Sequence, residues 1–143
     1  MEKILGLDLG SKTCGIAVSD ALGMLAHGIE TYHFEENQDD LAMERIKQLV
    51  NEHNVNKIVL GLPKHMNGDV GIRGEISIAF KQKLESAIAG IEVILIDERL
   101  TTKVAENNLL FADVSRNKRK KVIDKMAAVT ILQGYLDSHK KGQ

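Results

Sequence analysis

Two short apolar segments constrain the fold of this chain more than any other feature. They are KIVLGLP (57–63) and IEVILID (91–97), each a nearly continuous apolar run over the length of a strand. Such strands are buried on both faces, which requires helices on both sides of the sheet. Two segments with helical spacing, 39–53 and 73–89, supply them. Their apolar positions are Ala42, Ile46, Leu49 and Val50, and Ile76, Phe80, Leu84 and Ile88.

The rest of the chain completes one sheet and its cover. Segments 3–9, 13–20 and 24–34 are predicted as three strands of an antiparallel meander. The C-terminal third is predicted to form a helix over 101–112, a polar linker over 113–121 and a last helix over 122–139, with Ala128, Ile131, Leu132, Tyr135 and Leu136 on its apolar face. The order βββαβαβαα predicts an α/β fold, with a mixed five-stranded sheet flanked by helices in one domain, 1–143.

The composition is that of a globular protein, with 43% apolar and 27% charged residues. Cys14 is the only cysteine, which excludes an internal disulfide and is typical of the reducing cytosol. The N-terminus has no signal-peptide pattern, and no apolar run is long enough to cross a membrane. We therefore expect a cytoplasmic protein that does not bind membranes. The net charge of −1 favours no class of partner, so the distribution of charge has to decide.

Carboxylates at three places are candidate catalytic groups. Asp8 interrupts the first strand between two leucines, Asp97 and Glu98 follow VILI at a strand end, and Asp124 opens the last helix. A buried charge is costly unless it meets a metal ion or hydrogen-bond partners. Acids from a first strand, a later strand end and a helix start can converge at one edge of an α/β sheet. Such oxygen ligands suit Mg²⁺ or Mn²⁺, and two ions about 4 Å apart would activate a water for phosphodiester cleavage.

Two of these acids also have a purely structural explanation. Asp97 would hydrogen-bond backbone amides at the end of its strand, and Asp124 would interact with the dipole of its helix. Strand alternation sends Asp97 and Glu98 to opposite faces, so only one of them should face a given site.

The segment RNKRKKVIDK (116–125) contains six Lys or Arg residues among ten. A charge run of this kind is often an ordinary solvated surface. Here it leads directly into Asp124, where cations would hold a phosphate backbone over the metal ions. The candidates for that contact are Arg116, Lys118, Arg119 and Lys120. We expect the linker that carries them to be flexible and to become ordered on binding.

The hairpin DLGSKTCG has two interpretations. Its backbone amides and Lys12 would hold an anion, as in the phosphate-binding hairpins of sugar kinases and actin-like proteins. Those proteins enclose a nucleotide between two such domains, whereas 143 residues supply one. Alternatively, Gly10 permits the turn and Gly15 permits close packing.

Four segments resemble, in order, the successive motifs of the YqgF family: GLDLGSKTCGIAVSD, IVLGLPKHMNG, DERLTT and DKMAAVTILQGYL. The resemblance covers residues 3–137. Members are bacterial proteins of ribonuclease H-like fold, regarded as Holliday-junction-resolvase-like nucleases and as nucleases that process pre-16S ribosomal RNA. The resemblance implies a sheet in the order 3-2-1-4-5, with the first three strands antiparallel.

The resemblance also implies catalytic acids at Asp8, within DERLTT and at Asp124. The wider resolvase group, which is similar in topology, has an acid at the end of the fourth strand. Here that strand ends GLPK, without a carboxylate. The second acid would then come from the fifth strand, and we expect Glu98 as the metal ligand with Asp97 supporting it.

The resulting hypothesis is a metal-dependent endonuclease that acts on structured RNA, with pre-16S rRNA as the expected substrate and branched DNA as the other option. Lys12 and Arg99 would join the basic residues of 116–121 in holding phosphates. The alternative is a nucleic-acid-binding protein on the same fold, with weak or no catalysis, that acts in ribosome maturation or transcription. The sequence leaves open whether the protein is a monomer or a homodimer and whether Mg²⁺ or Mn²⁺ is preferred.

Overall fold

The strands and helices follow each other in the predicted order. The structure, a computed structural model, describes residues 3–36, 38–63, 71–97 and 116–138, and within 116–125 it describes the helix but not its side chains. The elements are β1 (Lys3–Leu9), β2 (Thr13–Ser19), β3 (Ala26–His33), α1 (Asp39–His53), β4 (Val55–Leu62), α2 (Ile72–Ala87), β5 (Glu92–Asp97) and α3 (Arg116–Ser138). The predicted helix over 101–112 lies outside the described residues.

The five strands form one mixed sheet in the order β3-β2-β1-β4-β5. The first three strands are antiparallel, whereas β4 runs parallel to both β1 and β5. Leu7 of β1 pairs with Ile16 of β2 and with Leu60 of β4, and Leu60 pairs in turn with Leu95 of β5. The predicted fold class and strand order are therefore confirmed.

Strand alternation divides the core between the two faces of this sheet. Leu5, Leu7 and Leu9 of β1 pack with the buried residues of α1 and α2. On the other face, Ala17 and Val59 pack under the apolar face predicted for α3, all of it buried: Ala128, Ile131, Leu132, Tyr135 and Leu136. We call these the α1/α2 face and the α3 face.

Gly6 lies where α3 crosses the middle of β1. A Cβ atom at this position would lie 2.7 Å from Leu132 Cβ and 3.0 Å from the Ala128 carbonyl oxygen. Both distances are shorter than ordinary contacts, so the absence of a side chain at Gly6 lets the helix approach the strand closely.

The prediction of a polar, flexible linker over 113–121 was wrong for residues 116–121, whereas residues 113–115 lie outside the described part of the chain. Helix α3 begins at Arg116, so the basic residues of 116–121 form its first turns. Lys and Arg are good helix formers, and no Gly or Pro separates the run from the apolar stripe. Apolar periodicity cannot locate a helix start that carries no apolar residue. Within the described part of the chain, no helix is long and apolar enough to cross a membrane.

Candidate active site

The carboxyl ends of β1, β4 and β5 meet at one edge of the sheet because these three strands are parallel. The strands end there at Leu9, Leu62 and Asp97. In an open α/β sheet this edge is the usual position of a binding site. We call it the carboxyl edge.

Asp8 is the penultimate residue of β1 and lies at the carboxyl edge, paired with Gly15 of β2. Its neighbours Leu7 and Leu9 are buried on the α1/α2 face, so alternation places Asp8 on the α3 face, in line with Gly6. The carboxylate is half-buried. It therefore combines partial desolvation with access from solvent, as a metal ligand or catalytic acid requires.

Helix α3 runs antiparallel to β1. Near its C-terminus, Gln133 Oε1 accepts a hydrogen bond of 2.9 Å from the backbone N–H of Ala26, where β3 begins at the opposite edge of the sheet. Further toward its N-terminus, Ala128 and Leu132 contact Gly6 in the middle of β1. The N-terminal turns of α3 therefore extend toward the carboxyl edge.

Asp124 lies in α3 one helical turn before Ala128. That turn advances the helix by about 6 Å, and the two residues from Gly6 to Asp8 advance the strand by about 6.6 Å. Because Gly6 lies between Ala128 and Leu132, the turn of α3 that begins at position 124 passes close to the level of Asp8. The side chain of Asp124 lies outside the description.

Asp97 ends β5 and is exposed. Val93 and Leu95 pack on the α1/α2 face, whereas Ile94 and Ile96 pack on the α3 face. Alternation therefore places Asp97 on the face opposite Asp8. Glu98 and Arg99 lie outside the described residues. Among the residues that are described, no three His, Cys, Asp or Glu side chains form a group that could hold a metal ion.

Lys12 lies in the turn between β1 and β2, at the carboxyl edge, and is exposed. The Gly10 N–H donates a hydrogen bond of 2.7 Å to the Thr13 carbonyl oxygen, and the Phe34 N–H donates one of 2.9 Å to the Lys12 carbonyl oxygen. The turn is thus fixed, and Lys12 can reach a phosphate from it. The predicted phosphate contacts Arg116, Lys118, Arg119 and Lys120 belong to the first turns of α3, and their side chains lie outside the description.

Sequence reasoning missed Arg73 at the same edge. Its Nη2 atom donates a hydrogen bond of 3.3 Å to the carbonyl oxygen of Leu9, the residue after Asp8. The two residues are 64 positions apart in the chain, so no local pattern pairs them. The only local sequence signal for Arg73 is that a cation lies in the first turn of an amphipathic helix. Many surface helices have such a cation, so the signal does not single out Arg73.

Cys14 is fully buried in the core, as predicted for a small core residue. Burial raises the pKa of its thiol well above the ordinary value, and the nearby carboxylate of Asp8 raises it further. The thiol is therefore protonated at neutral pH, and Cys14 is not a nucleophile.

Residues 2–138 match the family described as RuvX, Holliday junction resolvase. The chain belongs to the RuvX family. The family and the curated relatives confirm the resemblance carried by the four motifs. One relative, from Staphylococcus epidermidis, is 57% identical over 96% of both chains, and one from Staphylococcus aureus is 54% identical over 96% of both chains. Each is named "Putative pre-16S rRNA nuclease". The predicted class of enzyme, a nuclease, is confirmed at this level.

The RuvX chain is also similar in fold to solved resolvases. The Fowlpox virus resolvase, in complex with Holliday junction DNA, matches 97% of this chain and 99% of its own with a TM-score of 0.59 at 14% identity. The T. thermophilus RuvC, also with a Holliday junction substrate, matches 96% of this chain and 95% of its own with a TM-score of 0.58 at 12% identity. These likenesses confirm the ribonuclease H-like fold.

Proposed function

We propose that this chain is a metal-dependent endonuclease that processes the precursor of 16S ribosomal RNA in the cytoplasm. Asp8 carries the proposal, because it is half-buried at the carboxyl edge on the face that α3 covers. The curated relatives support the substrate, since each is named for pre-16S rRNA. The resolvase fold supports the reaction class, which is hydrolysis of a phosphodiester bond.

The donor set that we propose is Asp8, Glu98 and Asp124. All three offer carboxylate oxygens, which suits Mg²⁺ or Mn²⁺. Two features support the pairing of Asp8 with Asp124: the turn that begins at position 124 passes close to the level of Asp8, and Gly6 permits a close approach of the helix. When bound, the metal supplies Lewis-acid stabilisation of phosphate oxygens and lowers the pKa of a bound water.

The remaining roles belong to cations of the chain. Lys12 and Arg99 are proposed to hold the phosphates nearest the reacting one. The basic first turns of α3 (Arg116, Lys118, Arg119 and Lys120) extend past the carboxyl edge and are proposed to hold the flanking backbone. These contacts position the scissile bond and require no base recognition, which suits a substrate selected by its shape.

One observation favours a second candidate function, binding of nucleic acid with weak or no cleavage. Strand β4 ends at Leu62 and is followed by Pro63, so it brings no carboxylate to the carboxyl edge. A site with fewer carboxylate ligands binds two metal ions more weakly than a site with an additional acid on β4. This candidate shares the nucleic-acid contacts of the first and differs only in catalysis.

A cleavage assay with matched variants decides between the two functions. A labelled fragment of pre-16S rRNA and a labelled four-way DNA junction are each incubated with Mn²⁺ or Mg²⁺. Asp8→Asn is expected to abolish cleavage of the RNA without unfolding the protein. Asp137→Asn is the matched control, because Asp137 is exposed near the far end of α3 and is expected to leave cleavage unchanged.

Three outcomes count against parts of the proposal. Cleavage by the Asp8→Asn variant at the wild-type rate would show that the acid site is misassigned. Tight RNA binding without cleavage by the wild-type protein would establish the second function. Cleavage of the junction alone would make branched DNA the substrate.

A further inference from the structure

A cavity of about 210 Å³ lies at the carboxyl edge on the α1/α2 face, outside the proposed acid site. Its walls come from four places that the fold brings together: the β1–β2 turn, Phe34 just after β3, the start of α1, and α2 from Arg73 to Lys83. The polar groups that line it belong to Ser11, Asp39, Arg73 and Lys83. Ser11 and Lys83 are exposed, so the cavity is accessible from solvent.

Arg73 is the cation in this cavity that has unused hydrogen-bonding capacity. A guanidinium has five N–H donors. Its Nη2 atom donates to the Leu9 carbonyl oxygen at 3.3 Å, which fixes the side chain against the end of β1. Among the described residues, Arg73 has no carboxylate within ion-pair distance. An anion in the cavity would therefore meet a cation that is already oriented.

The other charged groups of the wall are paired with each other. Lys83 Nζ lies 3.5 Å from a carboxylate oxygen of Asp39, which lines the cavity, and 3.4 Å from one of Asp40, which lies outside it. Lys83 is thus shared by Asp39 and Asp40, and these three groups carry a net charge of −1. Arg73 has no carboxylate partner of its own among the described residues, so it is the cation that an anion would meet. Phe34 adds an aromatic surface beside these groups. A cation next to an aromatic ring suits a nucleotide, whose phosphate and base need different contacts.

We propose that this cavity binds a backbone phosphate of the substrate strand, with Arg73 as its cation. The inference rests on the proposed function, because it assumes that the strand passes Asp8. Leu9, whose carbonyl oxygen holds Arg73, directly follows Asp8, yet the two side chains lie on opposite faces of the sheet. A substrate RNA strand that is held both at Asp8 and at Arg73 would cross the carboxyl edge. It would run from the basic turns of α3 on one face of the sheet to Arg73 on the other.

The test measures binding without catalysis. Fluorescence anisotropy follows a short single-stranded RNA with hydroxyl ends, in buffer with a chelator, over a series of salt concentrations. Arg73→Gln is expected to weaken binding about tenfold, the value of one charge-assisted hydrogen bond. It is also expected to lower the log–log salt slope by about 0.7, as for the loss of one phosphate contact to a single strand. Arg73→Lys keeps the charge and is expected to restore the slope.

The matched control is Lys81→Gln, which removes one positive charge from the same helix. Lys81 pairs with Glu85 at 3.6 Å and does not line the cavity. Its loss is expected to leave the affinity and the salt slope unchanged. Equal losses in Lys81→Gln and Arg73→Gln would show a general charge effect and would overturn the inference.

A second pair of variants covers the case in which Arg73→Gln perturbs the fold. Ala79 is an exposed residue of α2 in the cavity wall, and Ala79→Glu adds a negative charge there. Ser86→Glu adds the same charge to an exposed part of α2 outside the cavity. Only Ala79→Glu is expected to weaken binding, by severalfold. Unchanged binding in both Arg73→Gln and Ala79→Glu would exclude the cavity as a phosphate site.

The two proposals fail separately. Unchanged RNA binding by Arg73→Gln, together with cleavage that depends on Asp8, would remove this phosphate site and leave the nuclease function. Weakened binding by Arg73→Gln in a protein that never cleaves RNA would support the phosphate site and remove the nuclease function.

Discussion

At the scale of single residues, Gly6 determines how closely α3 approaches the sheet. A methyl group there would press on Leu132 and on the backbone of Ala128. We expect Gly6→Ala to lower the free energy of unfolding by about 1–3 kcal/mol, the usual cost of overpacking. It should also displace the turn that carries Asp124 and reduce cleavage. Urea denaturation measures the first effect and the rRNA assay the second.

Gly134 of α3 is a glycine at which an added side chain is expected to stabilise the protein, in contrast to Gly6. It is exposed in α3, and an added Cβ would meet nothing within 4 Å. Gly134→Ala should raise the free energy of unfolding by about 1 kcal/mol, because Ala is the better helix former. Cleavage should not change, since the active-site end of α3 is unaffected. A loss of stability in Gly134→Ala, or none in Gly6→Ala, would contradict the packing of α3 described above.

Asp97 and Glu98 are neighbours with different expected importance. Asp97 shares the α1/α2 face with Leu95, whereas Asp8 lies on the α3 face. Continued alternation would bring Glu98 to the face of Asp8. Glu98→Gln should therefore reduce metal-dependent cleavage more than Asp97→Asn, as measured by the initial rate at saturating Mn²⁺. A larger loss in Asp97→Asn would reverse the assignment of the metal ligand.

At the scale of elements, α3 joins two functions that the sequence presented as separate segments. The helix begins at Arg116. One continuous helix therefore carries the basic first turns, the turn of Asp124 and the apolar stripe from Ala128 onward. Its apolar residues were predictable from their spacing. Its start was not, because a helix that extends beyond the core needs no apolar residue to be stable in these turns. The cations are therefore placed by a helix and not by a flexible loop.

The basic turns of α3 can be tested as a unit. Ala in place of Arg116, Lys118, Arg119 and Lys120 should weaken RNA binding and lower the log–log salt slope by about 3 if all four side chains contact phosphate in a single strand. Because Ala is the strongest helix former, the helix content in circular dichroism should not fall. An unchanged affinity and slope would show that the run is a solvated helix surface. A fall in helix content would mean that the variant does not test binding.

At the scale of the whole molecule, the hydrophobic pattern was sufficient for the sheet and insufficient for the site. Two apolar strands and the three strands of an antiparallel meander indicated a mixed sheet, and the strand order followed from the family resemblance. The contact of Arg73 with Leu9 spans 64 positions and involves a backbone carbonyl. No side-chain pattern encodes such a contact. The contact of Gly6 with Leu132 was not predictable either. A glycine within a strand indicates a close approach by another part of the chain but does not identify that part.

Metal binding should couple the proposed acid site to the stability of the entire domain. Carboxylates held close together repel each other, and a bound divalent cation removes that repulsion. A metal that binds only the folded state at about a hundredfold excess over its Kd adds about 2.7 kcal/mol, or roughly 8 °C in Tm for a domain of this size. We expect a shift of this order when Mn²⁺ is added to the wild-type protein. Asp8→Asn should have an equal or higher Tm without metal and little response to Mn²⁺, whereas Asp137→Asn should respond like the wild type. Differential scanning calorimetry with and without Mn²⁺ makes the comparison, and an equal shift in Asp8→Asn would show that the metal binds elsewhere in the protein.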